Sequence, residues 1–395
     1  MVNIISRIIA LFQAWGLVVL NKGSTHNNFI YLLALMTVWL LNFTLVVNKR
    51  RNGLTFLFVV LTSLVILAIK TKSVLLFYSF FEIRILPITV ILYLYGYQPE
   101  KLQASLFLLL YTVIRSLPLF FFIITCTFGI VSSALISLPI TLAFLVKTPM
   151  YLLHTWLPKA HVEAPVGGSI FLAGVLLKLG SYGLLLFLPI IKLNWAISCY
   201  FRLGLLGSII RSLISARQGD MKLLIAYSSI VHIGVVTIGF VRGTELGYTC
   251  GIMIVLAHGL CSPFLFALAY WLYLNRHSRL ILNNSSTWPM MSILFFALIS
   301  LNIGVPPSLN VWSEVYFSIA TICFMSEAWV LLLMIFLLRL VYNLYLYTSC
   351  MHSKFNYAPK NAEINSLFPT IQTIFYGYCS FFCLELFHLS LLFSF

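Results

Sequence analysis

Long apolar runs follow one another along the 395-residue chain, each bounded by a charged residue, a proline or a glycine. A helix needs about 20 apolar residues to cross the ~30 Å hydrocarbon core of a bilayer. The runs therefore predict thirteen transmembrane helices, at about 2–20, 28–47, 54–69, 74–95, 105–130, 134–157, 166–188, 195–215, 221–241, 247–274, 288–325, 328–350 and 367–393. The first run lacks a cleavage-site pattern, so we expect a retained helix and not a signal peptide.

Composition agrees with an all-α membrane bundle. Of the residues, 61% are hydrophobic and 8% are charged, whereas soluble domains carry roughly 25% charged residues. No stretch is left for a soluble domain, so residues 1–395 are expected to form a single membrane domain. The net charge of +15 lies mostly in short loops, which favours anionic lipid over nucleic acid. Eleven basic residues in loops on the N-terminal side against five opposite predict that the N-terminus lies inside.

Ionisable residues lie inside these apolar runs, where each costs roughly 2.5–3.5 kcal/mol if it faces lipid. They must face the bundle interior, water or one another. The set comprises Glu82, Arg84, Arg115, Lys147, Lys178, His232, His258, Glu314, Arg339 and Glu385.

Three of these residues predict a site that exchanges protons. Lys147 and Lys178 have long apolar flanks, and Glu82 lies mid-span in VLLFYSFFEIRILP. A buried carboxylate beside a lysine forms a pair whose charge state can switch. A static structural ion pair is the alternative. His232 and His258 are also mid-span and could relay protons, although a buried histidine is often only a structural donor.

Two spans are interrupted by proline beside an ionisable residue. Pro149 follows Lys147, and the run 288–325 contains Pro306 and Pro307 ahead of Glu314. Paired interrupted helices in two halves of a chain are typical of transporters with internal repeats. Glu314 is therefore a further candidate site residue.

Motifs of soluble catalysis are missing from the sequence. It has no Walker loop, no GxSxG, no Rossmann glycine motif, no CxxCH and no metal-binding spacing of histidines. Its eight cysteines are scattered without a CxxC pair. We expect the chain to bind no NADH, flavin, haem, iron–sulfur cluster or metal.

One long segment carries a family resemblance. The run LVKTPMYLLHTWLPKAHVEAPVGGSIFLAGVLLKLGSYG, with FFEIRILP, YGYQPEKLQAS, ARQGDMKLLIAYSSIVH, LAHGLCSPFLFALA and IGVPPSLNVWSE in order, resembles the antiporter-like subunits of NADH:ubiquinone oxidoreductase (complex I), most closely the mitochondrial subunit 4 family. The resemblance covers about residues 74–350. It implies two inverted five-helix repeats, each with a broken helix: 1–73 as N-terminal helices, 74–215 and 216–350 as the repeats, and 351–395 as a C-terminal helix.

The resemblance also implies a function and site residues. Such subunits translocate protons across the mitochondrial inner membrane while electrons pass from NADH to ubiquinone elsewhere in the complex, which uses FMN and iron–sulfur clusters. Partners would be the other membrane-arm subunits, including neighbouring antiporter-like ones, and lipids such as cardiolipin. The family's functional residues map onto Glu82, Lys147, Lys178, His232, His258 and Glu314.

The chain departs from this family in three respects. The N-terminal part is shorter, with thirteen spans predicted where fourteen are usual; the stretch between Glu82 and Lys147 is short; and Arg84 and Arg115 stand where small or apolar residues are usual. Because the spans at 74–95 and 105–130 are consecutive, we expect Arg115 to pair with Glu82. Two other functions are consistent with the residues: a gradient-driven cation/proton antiporter, and a membrane scaffold with purely structural charges.

Overall fold

The structure is a computed structural model that describes residues 25–47, 52–127, 137–188, 196–276, 278–281, 289–306 and 308–351. The predicted spans at 2–20 and 367–393, together with Pro307 and Glu385, lie outside these residues. Within the described part the regular secondary structure is helical, and one isolated bridge joins Asp220 and Leu280.

Fifteen α-helices and one π-helical turn form the described part. They are α1 (Thr25–Val47), α2 (Asn52–Lys70), α3 (Val74–Ile83), α4 (Ile85–Tyr95), α5 (Lys101–Thr127), α6 (Ser137–Lys147), α7 (Trp156–Glu163), α8 (Val166–Phe171), the π-turn (Leu172–Leu176), α9 (Leu177–Phe187), α10 (Ala196–Ala216), α11 (Met221–Val241), α12 (Glu245–Arg276), α13 (Pro289–Ile303), α14 (Leu309–Ile322) and α15 (Ala328–Met351).

Eight of the described helical segments are long and apolar enough to cross a membrane. They coincide with eight of the predicted spans, and α11 matches its predicted bounds of 221–241. Two differences concern helix ends. The helix predicted over 134–157 stops at Lys147 and is followed by an irregular segment before α7, and the helix predicted from 105 begins at Lys101. Pro149 accounts for the early stop, because it cannot donate a backbone hydrogen bond to a continuing helix.

Helix interruptions occur beside the buried charges. Arg84 alone separates α3 from α4 within the span predicted as continuous over 74–95. A π-turn, which the sequence did not predict, precedes Lys178. The predicted break near Pro306 is present, since α13 ends at Ile303 and α14 begins at Leu309. Each interruption leaves backbone carbonyls available to side chains.

The centre of the bundle consists of three long elements. The segment α8–π-turn–α9, helix α11 and helix α12 are almost wholly buried, whereas α5 and α15 leave long rows of apolar side chains exposed. Helix α11 packs between α10 and α12, and α12 packs against α14. Exposed apolar rows suit outer helices in contact with lipid, so polar groups on the central helices face one another.

Candidate functional site

Lys178 lies at the centre of the bundle, on α9 just after the π-turn. Its side chain is 2% exposed. The wider turn places the carbonyl of Ala173 within reach, and the Lys178 amine donates a hydrogen bond to it. The same amine lies 2.8 Å from Nδ1 of His258 on α12. A π-turn inside a helix is frequent at functional sites, and here it supplies the carbonyl that orients the lysine.

The two predicted histidines continue from Lys178 into the second half of the chain. The His258 and His232 rings have centroids 5.3 Å apart, and both side chains are buried. His232 lies beside Asn302 of α13. Asn302 in turn donates to Asn343 on α15 over 2.9 Å. Lysine, histidine and amide side chains thus follow one another through an apolar core.

Glu314 lies at the far end of this series and is paired with Arg339. Arg339 is 2% exposed and Glu314 is 15% exposed. Asn343 donates to the backbone carbonyl of Arg339 over 3.0 Å, one helical turn away on α15. The ion pair therefore adjoins the polar series that begins at Lys178.

The break between α13 and α14 shapes the Glu314 site. Gly304 ends α13 with φ +93°, and a Cβ atom at this position would lie 3.1 Å from both carboxylate oxygens of Glu314. The N–H groups of Gly304 and Val305 both donate to the carbonyl of Ser300, as in glycine-terminated helices. Glycine here permits both the backbone conformation and the close approach of the carboxylate.

Glu82 and Lys147 form the predicted ion pair at a second site. Lys147, the last residue of α6, is 5% exposed and Glu82 of α3 is 17% exposed. The Lys147 amine also lies 4.0 Å from the centroid of the Phe81 ring. Trp156 donates to the carbonyl of Val146 over 2.9 Å and so fixes the end of α6. The pairing itself agrees with the sequence prediction, whereas its role in proton transfer stays a prediction.

Arg115 does not pair with Glu82, and that prediction is wrong. Among the described residues Arg115 has no ion pair, and its guanidinium lies 4.2 Å from the ring of Tyr111 on the same helix. Consecutive antiparallel helices fix which spans are neighbours but leave the rotation of each helix open. Glu82 takes its cation from α6 instead.

A mixed-charge cavity of about 510 Å³ opens at one end of the bundle, between the start of α5, α7 and α11. Its walls include Glu100, His154, Lys159, Glu163 and Arg211. Burial raises the pKa of Glu163, although nearby Arg279 opposes this effect. Lys159 in its wall is one of the basic residues whose distribution along the sequence predicts that this end of the bundle faces inside.

His161 lies on α7, the helix that carries Lys159 and Glu163 of this cavity. It is fully buried and stacks on Phe266 with ring centroids 4.5 Å apart. Burial lowers its pKa to about 3, and the charges of Lys222 and Lys178 act in the same direction. The ring is therefore neutral at physiological pH.

Sequence reasoning overlooked several partners of the predicted residues. The sequence predicts that Arg339 is buried but indicates no role for it, and Asn302 and Asn343 do not stand out from the apolar residues around them. Asn302 stands in the run ALISLNIG, and Arg339 and Asn343 are four residues apart, on one helix face. Polar residues at that spacing inside apolar runs were the available signal. In the described part of the chain, no three His, Cys, Asp or Glu side chains are grouped to hold a metal ion.

Comparison with known proteins identifies the family. The family model described as NADH:quinone oxidoreductase/Mrp antiporter, TM matches residues 71–341. NADH-ubiquinone oxidoreductase chain 4 of Ceratitis capitata is 39% identical over 352 residues, which cover 82% of this chain and 78% of the relative.

Solved structures support the fold. A chain of respiratory complex I from Thermus thermophilus with bound NADH has a TM-score of 0.79 at 21% identity, covering 88% of this chain and 79% of that chain. A chain of the Mrp complex from Dietzia sp. DQ12-45-1b has a TM-score of 0.76 at 15% identity, covering 92% and 77%.

Proposed function

The chain belongs to the family of NADH-ubiquinone oxidoreductase chain 4, within the membrane subunits of NADH:quinone oxidoreductases and Mrp antiporters, and from this membership we propose the route by which it moves protons. It is a multi-pass subunit of the membrane arm of NADH:ubiquinone oxidoreductase that takes part in proton translocation. The route begins at the mixed-charge cavity, passes through Lys178, and ends near Glu314.

The contact between Lys178 and His258 is the single observation that carries this proposal. The lysine amine and the imidazole nitrogen are 2.8 Å apart, which permits direct transfer of a proton. Among the described residues Lys178 has no ion pair, and a buried lysine with an imidazole neighbour can release its proton more readily than a salt-bridged lysine. The histidine pair and the two asparagines then lead towards Glu314.

The Glu82–Lys147 pair acts on the charge of Lys178 in this scheme. When the pair is intact, its opposite charges nearly cancel at a distance. When Lys147 releases its proton, the charge of Glu82 is left without that partner; when the proton returns, so does a positive charge, in a medium of low dielectric where interactions between charges extend further than in water. The returning positive charge would favour release of the Lys178 proton.

We also propose the setting in which the subunit works. It would reside in the mitochondrial inner membrane, next to the other membrane-arm subunits, including antiporter-like ones, with anionic lipid such as cardiolipin at its basic loops. NADH, FMN, iron–sulfur clusters and ubiquinone would be bound by other parts of the complex, and this chain would hold none of them.

Replacement of Lys178 tests the proposal. Lys178→Ala in the assembled complex, reconstituted in vesicles, should lower the protons moved per NADH oxidised, because the central carrier is lost. Lys70→Ala is the matched control, since Lys70 is an exposed lysine at the end of α2. Lys178→Arg keeps the charge but cannot release a proton at physiological pH, and should fail like the alanine variant.

Native stoichiometry in an assembled Lys178→Ala complex would overturn the proposed route. A structural role predicts a different pattern, in which Lys178→Arg pumps normally and Lys178→Ala fails to assemble. A gradient-driven antiporter would move protons in exchange for a cation without NADH, which the same vesicles can detect.

A further inference from the structure

Arg84 is a buried cation that the proposed route does not use. Its side chain is 2% exposed, although it stands in the middle of a membrane span. The guanidinium donates to the carbonyl of Phe81 over 2.9 Å and to the carbonyl of Leu176 over 3.3 Å. Leu176 closes the π-turn ahead of Lys178, so Arg84 connects the helix of Glu82 with the helix of Lys178.

Arg84 and Lys147 share one aromatic neighbour. The Arg84 guanidinium carbon lies 4.2 Å and the Lys147 amine 4.0 Å from the centroid of the Phe81 ring, so the two cations are at most 8.2 Å apart. Both side chains also line a cavity of about 40 Å³, which exceeds the ~10–15 Å³ that one water molecule needs. There is therefore open space, larger than one water molecule, beside the guanidinium and the amine.

Glu82 has one carboxylate oxygen available for a second cation. Oε1 accepts from Lys147, whereas the buried Oε2 has no hydrogen-bond partner among the described residues. An unpaired carboxylate in a buried site is costly. If Lys147 gave up its proton with no other cation nearby, Glu82 would be left in that state.

We propose that Arg84 is a standby counter-ion for Glu82, which keeps the carboxylate balanced while Lys147 is deprotonated. With all three groups charged the site carries one net positive charge, and after loss of the Lys147 proton it is neutral. Arginine suits this role because it stays protonated in proteins. The inference rests on the proposed function, since it assumes that Lys147 exchanges protons.

Two substitutions separate the charge of Arg84 from its hydrogen bonds. Arg84→Lys keeps the charge, and Arg84→Gln removes the charge but keeps an N–H donor at the position of Nε, within reach of the Phe81 carbonyl. Coupled NADH oxidation by the reconstituted complex should fall about tenfold in Arg84→Gln and stay within about twofold in Arg84→Lys, a difference typical of coupled charged residues. Arg115 provides the matched control, because it is also mid-span and also lies 4.2 Å from an aromatic ring. Arg115→Gln should leave the rate unchanged.

A double variant gives the second readout. If Arg84 acts through the charge of Glu82, adding Arg84→Gln to Glu82→Gln should cause little further loss. Should Arg84→Gln alone fail to assemble, recovery of assembly in the double variant would support the inference, and failure of both would overturn it. Equal rates in Arg84→Gln and the native complex, or additive losses in the double variant, would also overturn it. None of these outcomes changes the expected loss of pumping in Lys178→Ala, so the role of Arg84 can be wrong while the proposed route through Lys178 remains correct.

Discussion

Gly304→Ala tests whether the broken helix positions Glu314. Gly304 has φ +93°, and a Cβ atom there would lie 3.1 Å from each carboxylate oxygen of Glu314. Real Cβ atoms rarely approach neighbours that closely, so the carboxylate would have to retreat by a few tenths of an ångström. Arg339 holds it in place through the buried ion pair.

The expected magnitude has two parts. A non-glycine residue held in a sparsely populated backbone conformation costs about 1–3 kcal/mol. Displacement of Glu314 weakens its pair with Arg339, and complete loss of a buried pair would cost roughly 3–5 kcal/mol. The carboxylate is displaced only partly, so about 1 kcal/mol for the weakened pair is added to about 2 kcal/mol for the backbone, which gives a total of about 3 kcal/mol.

Thermal inactivation of the assembled complex measures this loss. Even one to two kcal/mol changes the folded-to-unfolded ratio about 5- to 30-fold, so the Gly304→Ala complex should inactivate at a clearly lower temperature and pump fewer protons per NADH. Gly219→Ala is the control, because a Cβ atom there meets nothing within 4 Å. Combining Gly304→Ala with Glu314→Asp, whose carboxylate is retracted by one methylene, should recover part of the stability.

Indistinguishable behaviour of Gly304→Ala and Gly219→Ala would refute this reasoning. It would mean that the backbone near Pro306 adjusts freely and that the approach of Glu314 to Gly304 has no consequence. Loss of stability without recovery by Glu314→Asp would assign the effect to the backbone alone.

Two further predictions concern charge. Arg339→Lys keeps a cation beside Glu314 but makes that cation able to release a proton, so an imposed pH gradient should decay several-fold faster across vesicles in the absence of NADH; decay at the native rate would contradict this. Because burial raises the pKa of Glu163, its proton is bound more tightly in the folded chain, and the stability this provides is lost as pH rises above the ordinary carboxyl range. Glu163→Gln should therefore raise the inactivation temperature at about pH 7 and leave it unchanged near pH 4; an equal effect at both pH values would exclude the ionisation of Glu163 as the cause.

Eight of the spans and the presence of buried partners for the charges were predictable, because apolar residues favour the lipid and charged groups avoid it. Lys178 and Glu82 have apolar flanks on both sides, so burial and a polar partner followed from their depth alone. The choice of partner was not predictable in the same way. Arg115 and Lys147 are both cations at plausible depth, and only the rotation of α5 and α6 decides which one faces Glu82.

The π-turn and the asparagines were missed for a related reason. A π-turn differs from an α-helical turn by one backbone register, and LAGVL in the sequence carries no proline or charge to mark it. In the sequence, Asn302 and Asn343 each look like an isolated polar residue in an apolar helix; only the packing of α13 against α15 shows that they are hydrogen-bonded to each other. Tertiary packing, and not local propensity, decides such pairs.

Glu82 and Glu314, the carboxylates of the two ion pairs among the described residues, have cation partners of different chemistry, and this difference bears on the direction of proton movement. Lys147 can release a proton, so the Glu82 site can change its charge while both side chains stay in place. Arg339 cannot, so the Glu314 site changes charge only when Glu314 itself takes up a proton and its pair with Arg339 weakens. Because Asn343 donates to the carbonyl of Arg339 and accepts from Asn302, a shift of Arg339 would disturb the polar series leading back to His232. In the proposed route the Glu82–Lys147 site can therefore change its charge without rearrangement. The Glu314–Arg339 site can release a proton only when side chains on α15 move, which suits an exit that must not leak protons.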